Sequence, residues 1–225
     1  MPLLQQCLRQ QEYEILIKEV QNQTMFGGDQ PTPEVPSFEE FIKVMHYTNI
    51  DQLQNLINGL KMLPFSSRHI ISAWVPQWLP FESLSPQENV CLERAAIAPC
   101  HMTIQCFVTP GAGFKDKNKL SLLFYMRSSD VPVGLGFNIA QYALLLHMLA
   151  QVTGMEAHEL IYSVGDAHIY TNQYETVDLQ LERTPFPLPT LKINPDVDSI
   201  YDFKLEDFEI ENYQYHEVIK HPVSV

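Results

Sequence analysis

A cysteine and an arginine near the middle of the chain are of the types that nucleophilic chemistry requires. Cys100 lies between Pro99 and His101 at the start of a stretch rich in strand-forming residues, and Arg127 ends the next such stretch. If the two stretches pair, the guanidinium lies near the thiol and favours the thiolate, which is the nucleophilic form. A lone cysteine is more often a small buried hydrophobic residue. From the local sequence alone, both roles remain open for Cys100.

The residues that follow the second stretch are suited to binding an anion. Arg127 supplies a planar fork of donors and Ser128 a hydroxyl, a combination that binds phosphate well. Asp130 comes two residues later, and the alternative is that it pairs with Arg127 at the end of the strand. The sequence therefore predicts either a phosphate site or a local ion pair at this position.

A turn with two glycines, Gly134 and Gly136, leads from this segment into an apolar helix. Asn138 stands at the predicted start of that helix, where its default role is that of an N-cap. An amide can also donate and accept hydrogen bonds at once, so Asn138 could bind an imide edge of a ligand. The two roles are compatible if a site lies at the start of the helix.

Two polar rings follow further along the chain. His168 and Tyr170 alternate along a predicted strand and so face the same side. They could form a hydrogen-bonded pair or contact a sugar hydroxyl. We expect no metal site, because no second histidine stands at ligand spacing from His168.

The composition bounds the class of protein. The chain has 225 residues and a formal net charge of −13, which disfavours nucleic acid as a partner. No membrane span and no signal peptide are apparent, so we expect a cytoplasmic protein without a membrane partner. The four cysteines show no C-x-x-C pairing, which predicts reduced thiols. They are Cys7, Cys91, Cys100 and Cys106.

The hydrophobic pattern predicts a single α+β domain in which strands in series lie beside one long central helix. Predicted helices cover residues 1 to about 25, a segment from Ser37, residues 50–62 and residues 138–154. Predicted strands cover residues 69–75, 102–108, 120–126, 161–164, 168–170, 177–181 and 191–193. We expect residues 76–98 to form a long irregular connection.

Three blocks, in this order and at these spacings, resemble the thymidylate synthase family. They are Pro99-Cys100-His101, the run from Arg127 to Asn138, and Gly165-Asp-Ala-His-Ile-Tyr170. The resemblance extends over about Ile50 to Val225. It implies a large twisted mixed β-sheet with helices packed on one side, in one domain over residues 1–225, and a homodimer packed through the sheet. Residues 1–49 are a divergent N-terminal segment that lacks the family's Arg-Thr-Gly-Thr loop.

The resemblance also implies a role for each matching residue. The catalytic group would be Cys100, the nucleophile that adds to C6 of a uracil ring, with Asp130 and Asn138. The dUMP-binding residues would be Arg127 and Ser128 at the phosphate, Asn138 at the base, His168 and Tyr170 at the sugar, and Arg68 from the partner subunit. The residues that line the folate would be Asp130, Gly134, Phe137 and the C-terminal Val225.

The implied reaction is methylation of dUMP at C5 by 5,10-methylenetetrahydrofolate as co-substrate, without a metal. Two alternatives stay open. The first is a pyrimidine-nucleotide hydroxymethylase, in which water captures the transferred methylene group. The second is a non-catalytic nucleotide-binding paralogue, because the serine–arginine motif keeps one arginine, Arg68, where the family has two. Asn138 favours uracil over cytosine in either enzyme.

Overall fold

The computed structural model describes residues 50–113 and 115–223. These residues belong to two compact units: Trp74–Pro99 lies in one, and Gln52–Ala73 with the chain from Cys100 onward forms the other. The predicted helices before residue 50 and the predicted contact of Val225 lie outside the described residues. The assignment of residues 1–225 to one domain stays a prediction.

The described elements, in chain order, are α1 (Gln52–Met62), β1 (Ile70–Ser72), α2 (Pro86–Cys91), β2 (His101–Thr109), β3 (Lys119–Asp130), α3 (Gly136–Thr153), β4 (Glu156–His168), α4 (Tyr174–Leu181), β5 (Thr190–Ile193) and β6 (Phe208–Glu211). Short 3₁₀ turns lie at Pro76–Trp78, Thr171–Gln173 and Leu205–Asp207, and a wide π-helical turn lies at Val131–Leu135.

The central sheet has the strand order β1-β2-β3-β4. β1 and β3 each run antiparallel to β2, whereas β3 and β4 are parallel. Parallel neighbours require a crossover connection, and α3 provides it. The mixed sheet with its helices confirms the predicted α+β class. β5 and β6 form a separate antiparallel pair.

One face of the sheet packs on the helices to form the core. Leu120, Leu122 and Phe124 on β3 are fully buried there, together with Leu149 on α3 and Leu60 on α1. Alternate residues of a strand point to one face, so the apolar i, i+2, i+4 pattern of β3 accounts for its position against the helices. The crossover helix is thereby fixed to the strand that precedes it.

The central helix is not buried along its whole length. α3 is apolar almost all round, yet Phe137 is 79% exposed and Ile139 is 40% exposed. The first turn of α3, where the chain leaves the sheet edge, is therefore exposed. By length and composition alone, Val131–Thr153 is apolar enough to cross a membrane, a criterion that core helices of globular proteins also meet.

Several predicted boundaries change. Residues 177–181 form part of helix α4 and not a strand; the alternation of Val177, Leu179 and Leu181 imitated a strand pattern. Helical spacing places Thr176 and Gln180 one turn apart on the same side of α4. There they contact the two ring nitrogens of His221 at 2.8 and 2.9 Å, and these contacts favour the helix.

Other predicted segments also differ. The predicted strand 161–164 lies inside the longer β4 (Glu156–His168), and of the predicted strand 168–170 only His168 belongs to it. The predicted strand 69–75 is confined to Ile70–Ser72. The predicted irregular connection contains the capped helix α2, since Ser85 and Glu88 form a capping box there.

Candidate active site

Several of the predicted site residues meet at one edge of the sheet, at the carboxyl ends of β3 and β4. Because these strands are parallel, their ends meet in register: Ser128 lies opposite Asp166, and Asp130 lies opposite His168. Strand β2 begins at the same edge. The backbone N–H of Arg127 donates to the carbonyl oxygen of Cys100 at 2.9 Å. The two stretches therefore pair as predicted, with the backbones of Cys100 and Arg127 next to each other; the role of the guanidinium at the thiol stays a prediction.

Three described cysteines differ sharply in environment. Cys106 is fully buried in the core, and burial raises the pKa of its thiol to about 12, so it stays protonated. Cys91 is exposed and lies in the other compact unit. Cys100 is half-buried at the sheet edge. Among these three, the half-buried Cys100, whose backbone pairs with that of Arg127, is the one placed to react with a ligand.

A turn of unusual width carries the chain from β3 into α3. Asp130 caps this turn, since its Oδ1 accepts a hydrogen bond from the backbone N–H of Val133 at 3.4 Å. π-helical turns occur often at functional sites. A methyl group at Gly134 would lie 3.2 Å from Oδ1 of Asn138, so a glycine there leaves room for the amide. The turn therefore has the Asp130 carboxylate at its start and packs against the Asn138 amide at Gly134.

Asn138 is not the N-cap of its helix. α3 begins at Gly136, so Asn138 lies inside the first turn, and its Nδ2 lies 3.4 Å from Nε2 of His101. The capping interpretation is wrong because the wide turn starts the helix earlier than the sequence indicated. The side chain is directed toward β2, at the residue after Cys100.

His101 is a site residue that the sequence argument did not assign. Its Nδ1 lies 3.0 Å from the hydroxyl of Tyr142, whose ring stacks on Phe124 with centroids 4.0 Å apart. Burial lowers the pKa of His101 and raises the pKa of Tyr142, so both side chains favour the neutral form. A neutral His101 can donate from Nδ1 to Tyr142 and accept at Nε2 from Asn138. The sequence feature that could have indicated this role is the i, i+4 spacing of Asn138 and Tyr142, which places both side chains on one side of α3, where they contact His101.

His168 and Tyr170 lie close together, although not by alternation along one strand. Tyr170 lies beyond the end of β4, and the two rings meet edge to face with centroids 5.0 Å apart. The carboxylate of Asp166 lies 3.3 Å from Nδ1 of His168, without the geometry of a hydrogen bond. In residues 50–113 and 115–223, no group of three or more His, Cys, Asp or Glu side chains could hold a metal ion.

Gln173 is a second site residue to which the sequence gave no role, and it lies three residues after Tyr170. It is fully buried, and its side chain contacts Asp130, the backbone of Tyr170 and the C-terminal segment at Pro222. No local pattern marked it, because two of these partners are distant in sequence. Gln173 thus connects Asp130 at the end of β3 with the turn at Tyr170 and with the C-terminal segment.

An apolar groove of about 690 Å³ opens beside the first turn of α3. Phe137 forms part of its wall, together with Val131, Val133 and Ile169. An exposed aromatic ring in an apolar groove is typical of a site for a flat organic ligand. The groove lies next to the turn that Asp130 caps.

Arg68 lies away from this cluster. It is exposed in the loop before β1, and its neighbour Ile70 pairs with Gln105 on β2. The five-residue separation of Gln105 from Cys100 along a strand corresponds to roughly 17 Å. Buried His69 holds the loop through contacts of Nε2 with the carbonyl oxygens of Leu63 and Pro64 at 2.9 and 3.2 Å. Within one chain, Arg68 is therefore separate from the other candidate residues.

Comparison with known proteins identifies related sequences. A family model described as thymidylate synthase matches residues 13–225. Similar proteins include the thymidylate synthase of Francisella tularensis subsp. holarctica, at 47% identity over 176 residues, which is 78% of this chain and 62% of the relative. The thymidylate synthase of Francisella philomiragia is 46% identical over the same shares. The chain thus spans less than two thirds of the length of these relatives.

Proposed function

The chain belongs to the thymidylate synthase family, and from this premise we propose that it methylates dUMP at C5 with 5,10-methylenetetrahydrofolate, giving dTMP and dihydrofolate. The observation that carries the proposal is the convergence of Cys100, Arg127, Asp130 and Asn138 at one sheet edge, with a half-buried thiol among them. We also propose a cytoplasmic location, which suits a reaction that depends on a reduced thiol.

The reaction begins at Cys100. Its thiolate forms a bond to C6 of the uracil ring, and the electron pair of the C5–C6 double bond moves to C5 and the O4 carbonyl. C5 then becomes a carbon nucleophile. C5 bonds to the methylene carbon of the folate, and both bonds from that carbon to the folate nitrogens break as the C5 proton leaves. A hydride from the resulting tetrahydrofolate then adds to this carbon and gives the methyl group and dihydrofolate. The Cys100 sulfur leaves C6 as the thiolate, which restores the C5–C6 double bond.

Asn138 would recognise the base. Its amide oxygen can accept a hydrogen bond from the N3–H of uracil while its N–H donates to O4. A ring that lacks either group cannot form both hydrogen bonds. His101 and Tyr142 support this role, because they fix the rotation of the amide through a relay of hydrogen bonds. The N–H contact of Asn138 with His101 leaves its other N–H for the ligand.

Arg127 and Ser128 would bind the 5′-phosphate, and His168 with Tyr170 the 3′-hydroxyl of the sugar. The strand register supports this division. Arg127 and Ser128 lie on β3, and His168 ends the neighbouring strand, so the two groups flank the ligand from adjacent strands. Each charge-assisted contact to phosphate contributes roughly 1.5–3 kcal/mol.

Asp130, Gly134 and Phe137 would line the folate side. The groove beside Phe137 is apolar and wide enough to take an aromatic ring system. Asp130 has a carboxylate beside the groove, and it can accept further N–H donors from a pterin because each oxygen has two lone pairs. Val225 would close over the folate; this last role rests on the family resemblance.

We propose a homodimer formed through the free face of the sheet. Ile70, Phe107 and Ile161 are 48%, 37% and 39% exposed on the face opposite to the core. The register supports one common face, since Ile70 pairs with Gln105 and Leu123 with Ile161. Arg68 lies two residues before Ile70, next to this face of the sheet. A second copy that covers the face could bring Arg68 to the partner's phosphate site.

The proposed function is tested with dUMP that carries tritium at C5. Incubation with 5,10-methylenetetrahydrofolate should release tritium to water and yield dTMP with dihydrofolate, identified by mass spectrometry. A hydroxymethyl product would replace the proposal by the hydroxymethylase alternative. No release from the folded protein with reduced Cys100 would refute the proposed reaction on dUMP.

A further inference from the structure

Gln173 occupies a position that neither the nucleophile nor the substrate contacts explain. It is one of the few fully buried polar side chains among the described residues, at 0% exposure. Burying an amide without partners is costly, so its partners are informative. All of them belong to groups that surround the candidate site.

The amide nitrogen of Gln173 uses both of its hydrogens. It lies 3.2 and 3.0 Å from the two carboxylate oxygens of Asp130 and 2.9 Å from the carbonyl oxygen of Pro222. Because an amide has two N–H groups, one is shared by the Asp130 oxygens and the other is donated to Pro222. The same nitrogen thus holds the carboxylate on the folate side and the C-terminal segment.

The amide oxygen of Gln173 has a separate partner. It accepts the backbone N–H of Tyr170 at 2.9 Å, and the backbone N–H of Gln173 donates to the carbonyl oxygen of Tyr170 at 2.9 Å. The turn that carries Tyr170 is therefore fixed by the opposite end of the same amide. The amide nitrogen of Gln173 therefore binds Asp130 and Pro222, whereas its amide oxygen binds the backbone of Tyr170.

We propose that Gln173 is a positioning residue that couples the C-terminal segment to Asp130, so that the segment and the carboxylate adopt the geometry for folate together. The proposal rests on the proposed function for the identity of the co-substrate. Gln173 itself acts through Asp130 and Pro222. His221, the residue before Pro222, contacts Thr176 and Gln180 on α4, so the end of the C-terminal segment is anchored next to Gln173.

The informative substitution is Gln173→Glu, because it separates the two ends of the amide. The glutamate keeps an oxygen that accepts from Tyr170 and loses both N–H donors to Asp130 and Pro222. Its charge also faces the Asp130 carboxylate, and like charges at this distance repel. The matched control is Gln214→Glu, which makes the same change at an exposed position of the C-terminal segment.

Two readouts follow. In steady-state assays, Gln173→Glu should raise KM for methylenetetrahydrofolate by about tenfold or more and change KM for dUMP by less than about threefold. Without any substrate, carboxypeptidase should remove the last residues faster from Gln173→Glu than from Gln214→Glu, measured by intact mass. Should Gln173→Glu fail to fold, Gln173→Met keeps the volume without the charge and should show the same faster trimming.

The outcomes decide the proposal in either direction. Equal trimming of the Gln173 and Gln214 variants would overturn the coupling, as would a KM for dUMP that rises as much as KM for folate. If the wild-type protein does not turn over dUMP, the proposed function fails, whereas the trimming comparison still supports or overturns the coupling of Gln173 to the C-terminal segment.

Discussion

Substitution of Gly165 by alanine tests how closely β3 and β4 approach at the site. A Cβ atom at Gly165 would lie 2.8 Å from the hydroxyl oxygen of Tyr125 and 3.0 Å from the carbonyl oxygen of Arg127. The tyrosine hydroxyl can move, because it is the far end of a side chain. The carbonyl oxygen belongs to the backbone of β3, so relief of that contact requires the strands to separate beside Arg127.

The magnitude follows from these two contacts. Forcing one extra methyl group into a packed position costs typically about 1–3 kcal/mol. In a protein of this size, each kcal/mol lowers Tm by about 2–4 °C. We therefore expect Gly165→Ala to lower Tm by about 2–12 °C and to weaken dUMP binding, because the Arg127 backbone is displaced.

Thermal unfolding followed by circular dichroism measures the effect, and Gly136→Ala is the matched control. A Cβ at Gly136 meets nothing within 4 Å, and the residue has helical φ and ψ of −60° and −43°. Alanine there should leave Tm unchanged or raise it, with a gain of up to about 1 kcal/mol. Equal Tm values for wild type and Gly165→Ala would refute the close approach of the two strands.

Three further outcomes are expected. Tyr142→Phe should destabilise the fold by about 1–2 kcal/mol in urea unfolding and lower kcat, because it leaves Nδ1 of His101 without its partner; an unchanged kcat would contradict the relay. Burial lowers the pKa of His101 in the folded state. Between this lowered pKa and the ordinary value of about 6.5, the unfolded state binds more protons than the folded state, so stability falls as the pH falls through that window. His101→Gln should reduce the dependence of stability on pH, and equal slopes for variant and wild type would contradict the burial of His101. Ile161→Lys should convert a dimer into monomers with loss of turnover, measured by analytical ultracentrifugation; a stable dimer would place the interface elsewhere.

Much of the sheet and its connecting helix could be predicted from the sequence. β2 and β3 have long apolar patterns that only a strand explains, and the apolar run of α3 is too long for a strand. The adjacency of Cys100 and Arg127 followed from pairing these strands. Its confirmation rests on the 2.9 Å hydrogen bond between their backbones.

The remainder depends on contacts that local patterns do not encode. The alternation of residues 177–181 predicted a strand, whereas the C-terminal segment, through His221, requires helical spacing of its partners. The position of Asn138 depends on the wide turn that starts α3 early. Gln173 could not be assigned because Pro222, one of its partners, is distant along the chain.

The most direct test of the central claim is the trapping of Cys100 on a substrate analogue. In 5-fluoro-dUMP, fluorine replaces the C5 hydrogen that must leave as a proton, so the reaction should stop with the sulfur bonded to C6. After incubation with 5-fluoro-dUMP and methylenetetrahydrofolate, intact mass and peptide mapping should show one nucleotide–folate adduct on Cys100, absent from Cys100→Ser and unchanged in Cys91→Ser. An adduct on another residue, or none on folded and reduced protein, would contradict the account.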